Sequence, residues 1–254
     1  MDRHTEQSVA ESMTSDTAEI VPFLPYVLQD FWALGSSPDD MTSLLLEYVP
    51  ARERMRALDL GCGKGAIAVA LAKRLGMRVK GVDAMPEFIE FARAAALDHG
   101  VEALCTFDTG DIRDTVSVES GYDCTIYGAV GCALGSPERM LPLLKRTIRA
   151  RGYILLDDAY VEGDEPIDDT LPLGVWLDLF DRNGLEVQAE RPATAESRET
   201  YAQEITWITQ RIEELRALHP ERADLFDRYL ADQISEYDAL DTAIIGTTWL
   251  LRAL

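Results

Sequence analysis

Residues 57–65 read Ala-Leu-Asp-Leu-Gly-Cys-Gly-Lys-Gly, and Gly81-Val82-Asp83 stands further along the chain. The alternate glycines Gly61, Gly63 and Gly65 permit a tight turn with no Cβ in the way, so a ligand can approach the backbone closely. The short apolar run Ala57 to Leu60 suits a buried strand leading into that turn. A helix from Lys64 to Leu75 leaves it and closes at Gly76. A second strand, Arg78 to Val82, ends in Asp83. A carboxylate at a strand tip beside a glycine turn is placed to accept hydrogen bonds from both hydroxyls of a ribose. The chemistry to which these residues point is the binding of a nucleoside-containing cofactor on a doubly wound sheet.

The run Gly61 to Ala66 also fits the dinucleotide pattern G-x-G-x-x-G/A, so a nicotinamide-dependent oxidoreductase is one alternative. Three features favour S-adenosylmethionine. Asp59 sits inside the strand, two residues before the first glycine, where it can bind the turn's N–H groups or a cofactor ammonium. Gly65 adds a third position of close approach. Gly110-Asp111-Ile112 follows a third strand and offers a carboxylate and an apolar face to an adenine. The stretch Leu58 to Gly65, with Asp83 and Asp111, resembles the class I, Rossmann-like S-adenosylmethionine-dependent methyltransferases of small molecules. The resemblance covers roughly Arg56 to Tyr160, with a matching order of elements beyond. Lys64 stands where such enzymes commonly carry a small hydroxyl residue.

The resemblance implies the following roles. Gly61, Gly63 and Gly65 would let the backbone contact the methionine moiety, and Asp59 would orient the turn or the ammonium. Asp83 would hold the ribose hydroxyls, with Ala84 and Met85 against the adenine. Asp111 would receive the adenine amino group and Ile112 would pack on its ring. Tyr127, Gly128 and Ala129 would line the methionine side. The product would be S-adenosylhomocysteine. A non-catalytic module that senses the cofactor is the second alternative.

These residues need a frame. Strand patterns over Ala103 to Phe107, Tyr122 to Tyr127 and Tyr153 to Leu156 alternate with helices that start at Pro86 and Ser136. That alternation predicts an α/β, doubly wound, mostly parallel sheet. Leu185 to Glu190 and Ala243 to Leu251 are a sixth and a seventh strand. The family resemblance implies that the seventh runs antiparallel. The connection between them, residues 197–240, carries two helical patterns. It would leave and return at the carboxyl edge as a helical lid, or else serve as core or a homodimer interface. Replacing it with a short linker is expected to leave cofactor binding within about tenfold, a change of roughly 1.4 kcal/mol. Ser37 and Pro38 start a helix whose face Met41, Leu44, Leu45 and Tyr48 reads as core. Residues 1–20 read as a flexible tail, residues 21–50 as a helical cap rich in aromatics, and residues 51–254 as the main domain.

Composition bounds the partners. The 254-residue chain carries 45 Asp plus Glu against 24 Lys plus Arg, a net charge of −21. Such a field repels nucleic acid and anionic membrane surfaces. Cys62, Cys105, Cys124 and Cys132 form no C-x-x-C pair, and three His are too few to suggest a zinc site, so no metal is expected. Free thiols and the absence of a signal or membrane span point to the cytoplasm. The acceptor reads as a small molecule. The candidates for proton transfer are Asp157 and Asp158 after the fifth strand, and Tyr127 at the end of the fourth. Adjacent residues of a strand point to opposite faces, so at most one of the two aspartates faces the pocket.

Overall fold

In the computed structural model all residues but 51 and 168 are described, with backbone alone at 53 and 195–198. Residue 51, where the main domain was expected to begin, and Asp168 of the acidic loop therefore lie outside the described residues, as does the side chain of Ser197.

Seven strands form one sheet: β1 (Arg56–Leu60), β2 (Arg78–Asp83), β3 (Cys105–Thr109), β4 (Tyr122–Gly128), β5 (Ile148–Tyr160), β6 (Leu185–Pro192) and β7 (Ile245–Ala253). Their spatial order is β3-β2-β1-β4-β5-β7-β6. β1 to β5 pair in parallel, whereas β7 pairs antiparallel with both β5 and β6. The order reverses at β1, which has β2 on one side and β4 on the other. A crevice opens at such a reversal because the helices after the two strands leave on opposite faces.

Helices α3 (Pro38–Tyr48), α4 (Ala66–Leu75) and α5 (Pro86–Asp98) cover one face. There Met41, Leu44, Val69, Leu71 and Ile89 pack on Ala57, Val79 and Leu155. Helices α6 (Ile112–Val118), α7 (Pro137–Thr147) and α8 (Leu173–Arg182) cover the other. Side chains alternate along each strand, so Leu58 and Leu60 feed the second layer while Ala57 and Asp59 face the first. Helix starts follow their chemistry: Ser37 accepts from the Asp40 N–H, with Pro38 in the first turn, and Gly76 closes α4 at φ 67°. Tyr48, expected in the core, is 45% exposed. It lies at the last helical position, past the point where the sheet covers it.

The N-terminal region departs from expectation. Residues 1–20 are not a loose tail: α1 (Arg3–Ser12) is capped by Asp2, which accepts from the Thr5 N–H, and buries Thr5 and Ala10. α3 belongs to the main layer rather than to a separate cap, since its apolar face packs on α4 and the sheet. A short 3₁₀ turn (Ala18–Phe23) leads into α2 (Leu24–Val27). This segment joins the two helices between β6 and β7, α9 (Ala195–Leu218) and α10 (Ala223–Thr242), in a third apolar cluster. Ile20, Leu24, Val27 and Phe31 there meet Ile208, Ile212, Phe226 and Tyr229, and the cluster takes in Met85 and Phe88 at the start of α5. Because β6 ends and β7 begins at the carboxyl edge, this cluster sits on that edge. Ile234 of α10 stays outside this cluster and is 40% exposed.

One glycine away from the turn tests the packing. Gly81 lies mid-strand in β2, and a Cβ there would meet Phe107 Cδ1 at 2.7 Å and Cys62 Sγ at 2.8 Å. Both neighbours are buried in the core. Gly81→Ala should therefore destabilise the protein by about 1–3 kcal/mol, the usual cost of overpacking. A urea titration with an unchanged slope and a lowered midpoint is the expected result; an unchanged midpoint would mean that Phe107 gives way freely.

Candidate active site

The turn between β1 and α4 is tied to β2 by backbone and side chain. The Gly61 and Cys62 N–H groups donate to the Val82 carbonyl at 2.9 and 3.0 Å. The Gly63 N–H donates to Asp83 Oδ2 at 2.8 Å, and the Met85 N–H donates to Oδ1 at 2.9 Å. Gly61, Gly63 and Gly65 adopt φ of 71°, 49° and 76°, the left-handed region that favours glycine. A Cβ on Gly61 would stand 2.7 Å from Val130 Cγ2, and one on Gly63 would stand 3.0 Å from Leu34 Cδ1. These two glycines thus admit the facing walls of a cleft. Gly65 is different: it caps α4 and backs onto Ala92 and Phe107.

The cleft runs between the turn and three other segments. Trp32, Leu34 and Ser36 form one wall, Gly128 to Val130 another, and Ser12 and Met13 after α1 a third, with Asp83 at the floor. Ala129 sits at φ 51°, a costly conformation for a residue with a side chain. Its N–H donates to the Asp157 carbonyl at 3.3 Å. A strained residue at the carboxyl end of a central strand, facing a glycine turn, marks a position shaped for a ligand.

The electrostatics of the floor are unusual. Asp59 is 1% exposed and its Oδ2 has no protein hydrogen-bond partner. Burial, and then the charge of Asp83, push its carboxyl up to about 7. Burial raises Asp83 as well, opposed by the N–H groups of Met85, Gly63 and Ala84. An ionised carboxylate without a partner in such a place is costly, and an approaching cation would relieve the cost.

The other expected residues divide. Gly128 and Ala129 line the cleft. Met85 is buried in the third apolar cluster, and Ile112 packs with Val82 and Val116 in the second layer. Asp111 is not a free acceptor. It caps α6, pairs with Arg113 through the guanidinium, and accepts from Thr5 Oγ of α1 at 2.7 Å. Burial opposes ionisation, but the bonds from Arg113 and Thr5 hold its carboxyl down at about 2. The expected partner of an adenine amino group is thus engaged in docking α1. Tyr127 is also not where strand-end placement puts it. It is fully buried in the second layer, and its hydroxyl donates to the Gly131 carbonyl at 2.8 Å and accepts from the Leu134 N–H. Burial raises that phenol further. Tyr127 props the loop after β4 and is unsuited to proton transfer.

Asp157 and Asp158 fall on opposite faces of β5, beside Thr248 and Thr247 of β7. Asp157 Oδ2 accepts from Thr248 Oγ at 2.6 Å. Burial raises it to about 7, with Asp158 and Asp40 adding and Thr248 and Ser36 opposing. Asp157 pairs in register with Gly128 of β4, where a Cβ would meet Ser36 Oγ, and Gly128 and Ser36 both line the cleft, so Asp157 shares that face of the sheet. Burial raises Asp158 to about 6, and the Ala159 N–H donates to it. Lys64, which motif reading marks only as a departure in the turn, has a role of its own in the site. It is 4% exposed, and its ammonium donates to the Leu28 and Phe31 carbonyls at 2.5 and 2.6 Å. A lysine inside an otherwise small-residue turn, following an aromatic segment with no partner, was the available signal. His99, just past the end of α5, stacks on Trp32 of the cleft wall with ring centroids 4.9 Å apart.

Comparison with known proteins gives a consistent picture. Residues 51–215 match the family model described as a methyltransferase domain. The methyltransferase GfsG of Streptomyces halstedii is 27% identical over 181 residues, covering 70% of this chain and 64% of that protein. The ribosomal protein L11 methyltransferase of Dechloromonas aromatica is 30% identical over 158 residues, 60% of this chain and 49% of that protein. The matches thus span less than two thirds of these curated relatives. Among solved structures, a methyltransferase of Geobacter sulfurreducens in complex with S-adenosyl-L-homocysteine superposes with TM-score 0.77 at 20% identity, covering 92% of this chain and 98% of that one. The [4+2]-cyclase SpnF superposes with TM-score 0.74 at 14% identity, covering 98% and 96%.

The raised Asp59 makes a pH prediction. Its folded value of about 7 lies above the ordinary aspartate value of 3.8. Its contribution to stability is therefore fully present below about pH 4 and lost as pH rises to about 7. Asp59→Asn removes that dependence. In calorimetry of the ligand-free protein, the Tm of the variant relative to the native chain should climb between pH 5 and 8, by roughly 2–4 °C for each kcal/mol. A difference that stays flat across this range would show that Asp59 is ionised without cost.

Proposed function

This chain belongs to the methyltransferase domain family, and from that premise we propose that it transfers the methyl group of S-adenosylmethionine to a small-molecule acceptor. The observation that carries the reading is the buried, unpartnered Asp59 oxygen beneath the glycine turn, beside Asp83 at the tip of the next strand. The donor set fits the group. Asp59 would face the ammonium. Asp83 retains accepting capacity for two ribose hydroxyls after its bonds to Gly63 and Met85. Gly61 and Gly63 would offer backbone to the methionine moiety, Gly128 and Ala129 would flank it, and Ala84 with Met85 would border the adenine. Asp111 is assigned no adenine contact, because Arg113 and Thr5 engage it.

When bound, the cofactor supplies a methyl carbon on a sulfonium, open to in-line displacement. The protein's share is to hold the acceptor atom on that line and to keep water away. The cluster of the N-terminal segment with α9 and α10 gives apolar cover at the carboxyl edge, and we read it as a lid. Asp157 is the stronger candidate for a base. It shares the cleft's side with Ser36, and a carboxyl raised to about 7 is matched to accepting a proton near neutral pH. Tyr127 drops out. The net charge of −21 disfavours nucleic acid as acceptor, and the buried free thiols Cys62, Cys105 and Cys124 fit a reducing cytoplasm.

A cyclase shares the fold, so architecture alone does not carry methyl transfer. The test is direct. S-adenosylmethionine and S-adenosylhomocysteine should raise the melting temperature by mass action, while NAD should not. Asp83→Ala should weaken S-adenosylhomocysteine by about 1–3 kcal/mol in calorimetric titration, because hydroxyls are left unpaired. A shift with NAD alone would overturn the reading in favour of an oxidoreductase. Binding without methyl loss, across amine, phenol, thiol and peptide acceptors, would favour a non-methylating protein.

For the base, Asp157→Asn should lower turnover roughly 10²–10⁴-fold with cofactor affinity nearly unchanged. Asp158→Asn should cost far less. The reverse ranking would assign the pocket to the other face of β5, and two small losses would mean that positioning alone suffices.

A further inference from the structure

The glycine turn carries a cation that does not serve the two carboxylates beneath it. Lys64 extends its ammonium to the Leu28 and Phe31 carbonyls, at 2.5 and 2.6 Å. Leu28 is the residue on which α2 ends, so one of these acceptors belongs to a helix C-terminus, where a cation is favoured. The rings of Phe91 and Phe88 complete the surroundings, 5.1 and 5.8 Å from the ammonium. Burial pushes the ammonium down to about 8, with Asp30 opposing. A second thread runs back, since Trp32 Nε1 donates to the Lys64 carbonyl at 3.2 Å.

The same short stretch is gripped from the other side by α9. Asp30 receives Arg211 through both carboxylate oxygens, at 2.6 and 3.0 Å. Phe31 meets Trp207 edge to face at 5.3 Å. Residues 28–31 therefore hang between two anchors, the ammonium of the turn and a face of the inserted helix.

We propose that Lys64 is a positioning residue that clasps the cofactor turn to the helices between β6 and β7, so that cofactor binding and closure over the cleft are one coupled equilibrium. This rests on the reading that the turn holds the cofactor. It gives a physical route for the change of up to about tenfold in cofactor binding that the sequence allows on loss of the insertion. The physical argument is reciprocal. A buried ammonium is tolerated only while its two carbonyls are in place. Lifting residues 28–31 with α9 removes both acceptors and the Trp32 bond, and the turn loses the contacts that fix its shape. A ligand that orders the turn must by linkage favour the closed arrangement by the same factor.

The experiment is hydrogen exchange on the full chain, with and without S-adenosylhomocysteine, alongside titration of that ligand. In Lys64→Met, amides of residues 24–34 and 205–215 should exchange about tenfold faster, with those of β1 and β4 within about twofold of native, and ligand affinity should fall about tenfold. Lys64→Arg should restore most of both, because a guanidinium can also serve two carbonyls. Arg211→Met removes the far anchor on Asp30, together with a pair to Glu214 on the same helix, touches nothing in the turn, and should nevertheless weaken the ligand several-fold. Unchanged exchange at 205–215 in folded Lys64→Met would overturn the clasp. So would unchanged ligand affinity in Arg211→Met, which decides the matter if Lys64→Met does not fold. Failure of the native chain to bind S-adenosylhomocysteine would instead sink the cofactor reading, and the ligand-free exchange arm would still judge whether the turn and α9 are clasped.

Discussion

Two carboxylates, Asp59 and Asp83, stand on adjacent strands at the carboxyl edge, and among the described residues no cationic side chain pairs with either. The surrounding structure is arranged around this uncompensated charge. The turn donates the Gly63 N–H, and the start of α5 donates the Met85 N–H, to hold Asp83 in place. Asp59 receives no such help at Oδ2. Folding bears the cost of keeping it there, and a ligand with a positive group recovers part of it. A site of this kind selects by charge before any shape is read.

The basic side chains that could have neutralised this floor are used elsewhere, each to dock an N-terminal element. Lys64 points away from Asp59 and binds the end of α2. Arg113 holds Asp111, which in turn receives Thr5 of α1. Arg211 reaches from α9 to Asp30. The acidic excess of the chain makes such cations scarce, and they join segments distant in sequence. Walls of the cleft are therefore assembled from the N-terminal segments and the loop after β4, while the inserted helices pack behind the N-terminal segment.

That division explains how far the sequence could be read. The sheet was legible because strand runs, helix starts such as Ser37-Pro38 and closing glycines such as Gly76 are local signals with local causes. The floor was legible because the φ of Gly61 and Gly63 strongly favours glycine, and because a carboxylate at the tip of β2 has few structural uses. α1 was missed because its composition is polar and its burial rests on Thr5 and Ala10. Its cap, Asp2 with the Thr5 N–H, was present in the sequence, but a cap does not reveal a docking surface. Asp111 was assigned from its position after β3, while its partners lie two residues away in Arg113 and more than a hundred residues away in Thr5. Tyr127 failed for a simpler reason. Strand ends alternate, and a residue facing the α6–α8 layer cannot also face the cleft.

The acceptor side resists sequence reading for the same cause. At the carboxyl edge lies an apolar cluster of the N-terminal segment with α9 and α10, in which each side chain must first satisfy packing. Isoleucines at helical spacing are selected whether or not a substrate lies beneath them. What distinguishes a working surface from a packed one is a polar group that packing does not require. On this edge those groups are Asp157, with Thr248 and Ser36 about it, and Asp158 on the opposite face. Burial holds both carboxyls above the ordinary aspartate range. A core of apolar side chains alone would have excluded them, so the fold bears a standing cost to keep two buried carboxyls at the end of β5.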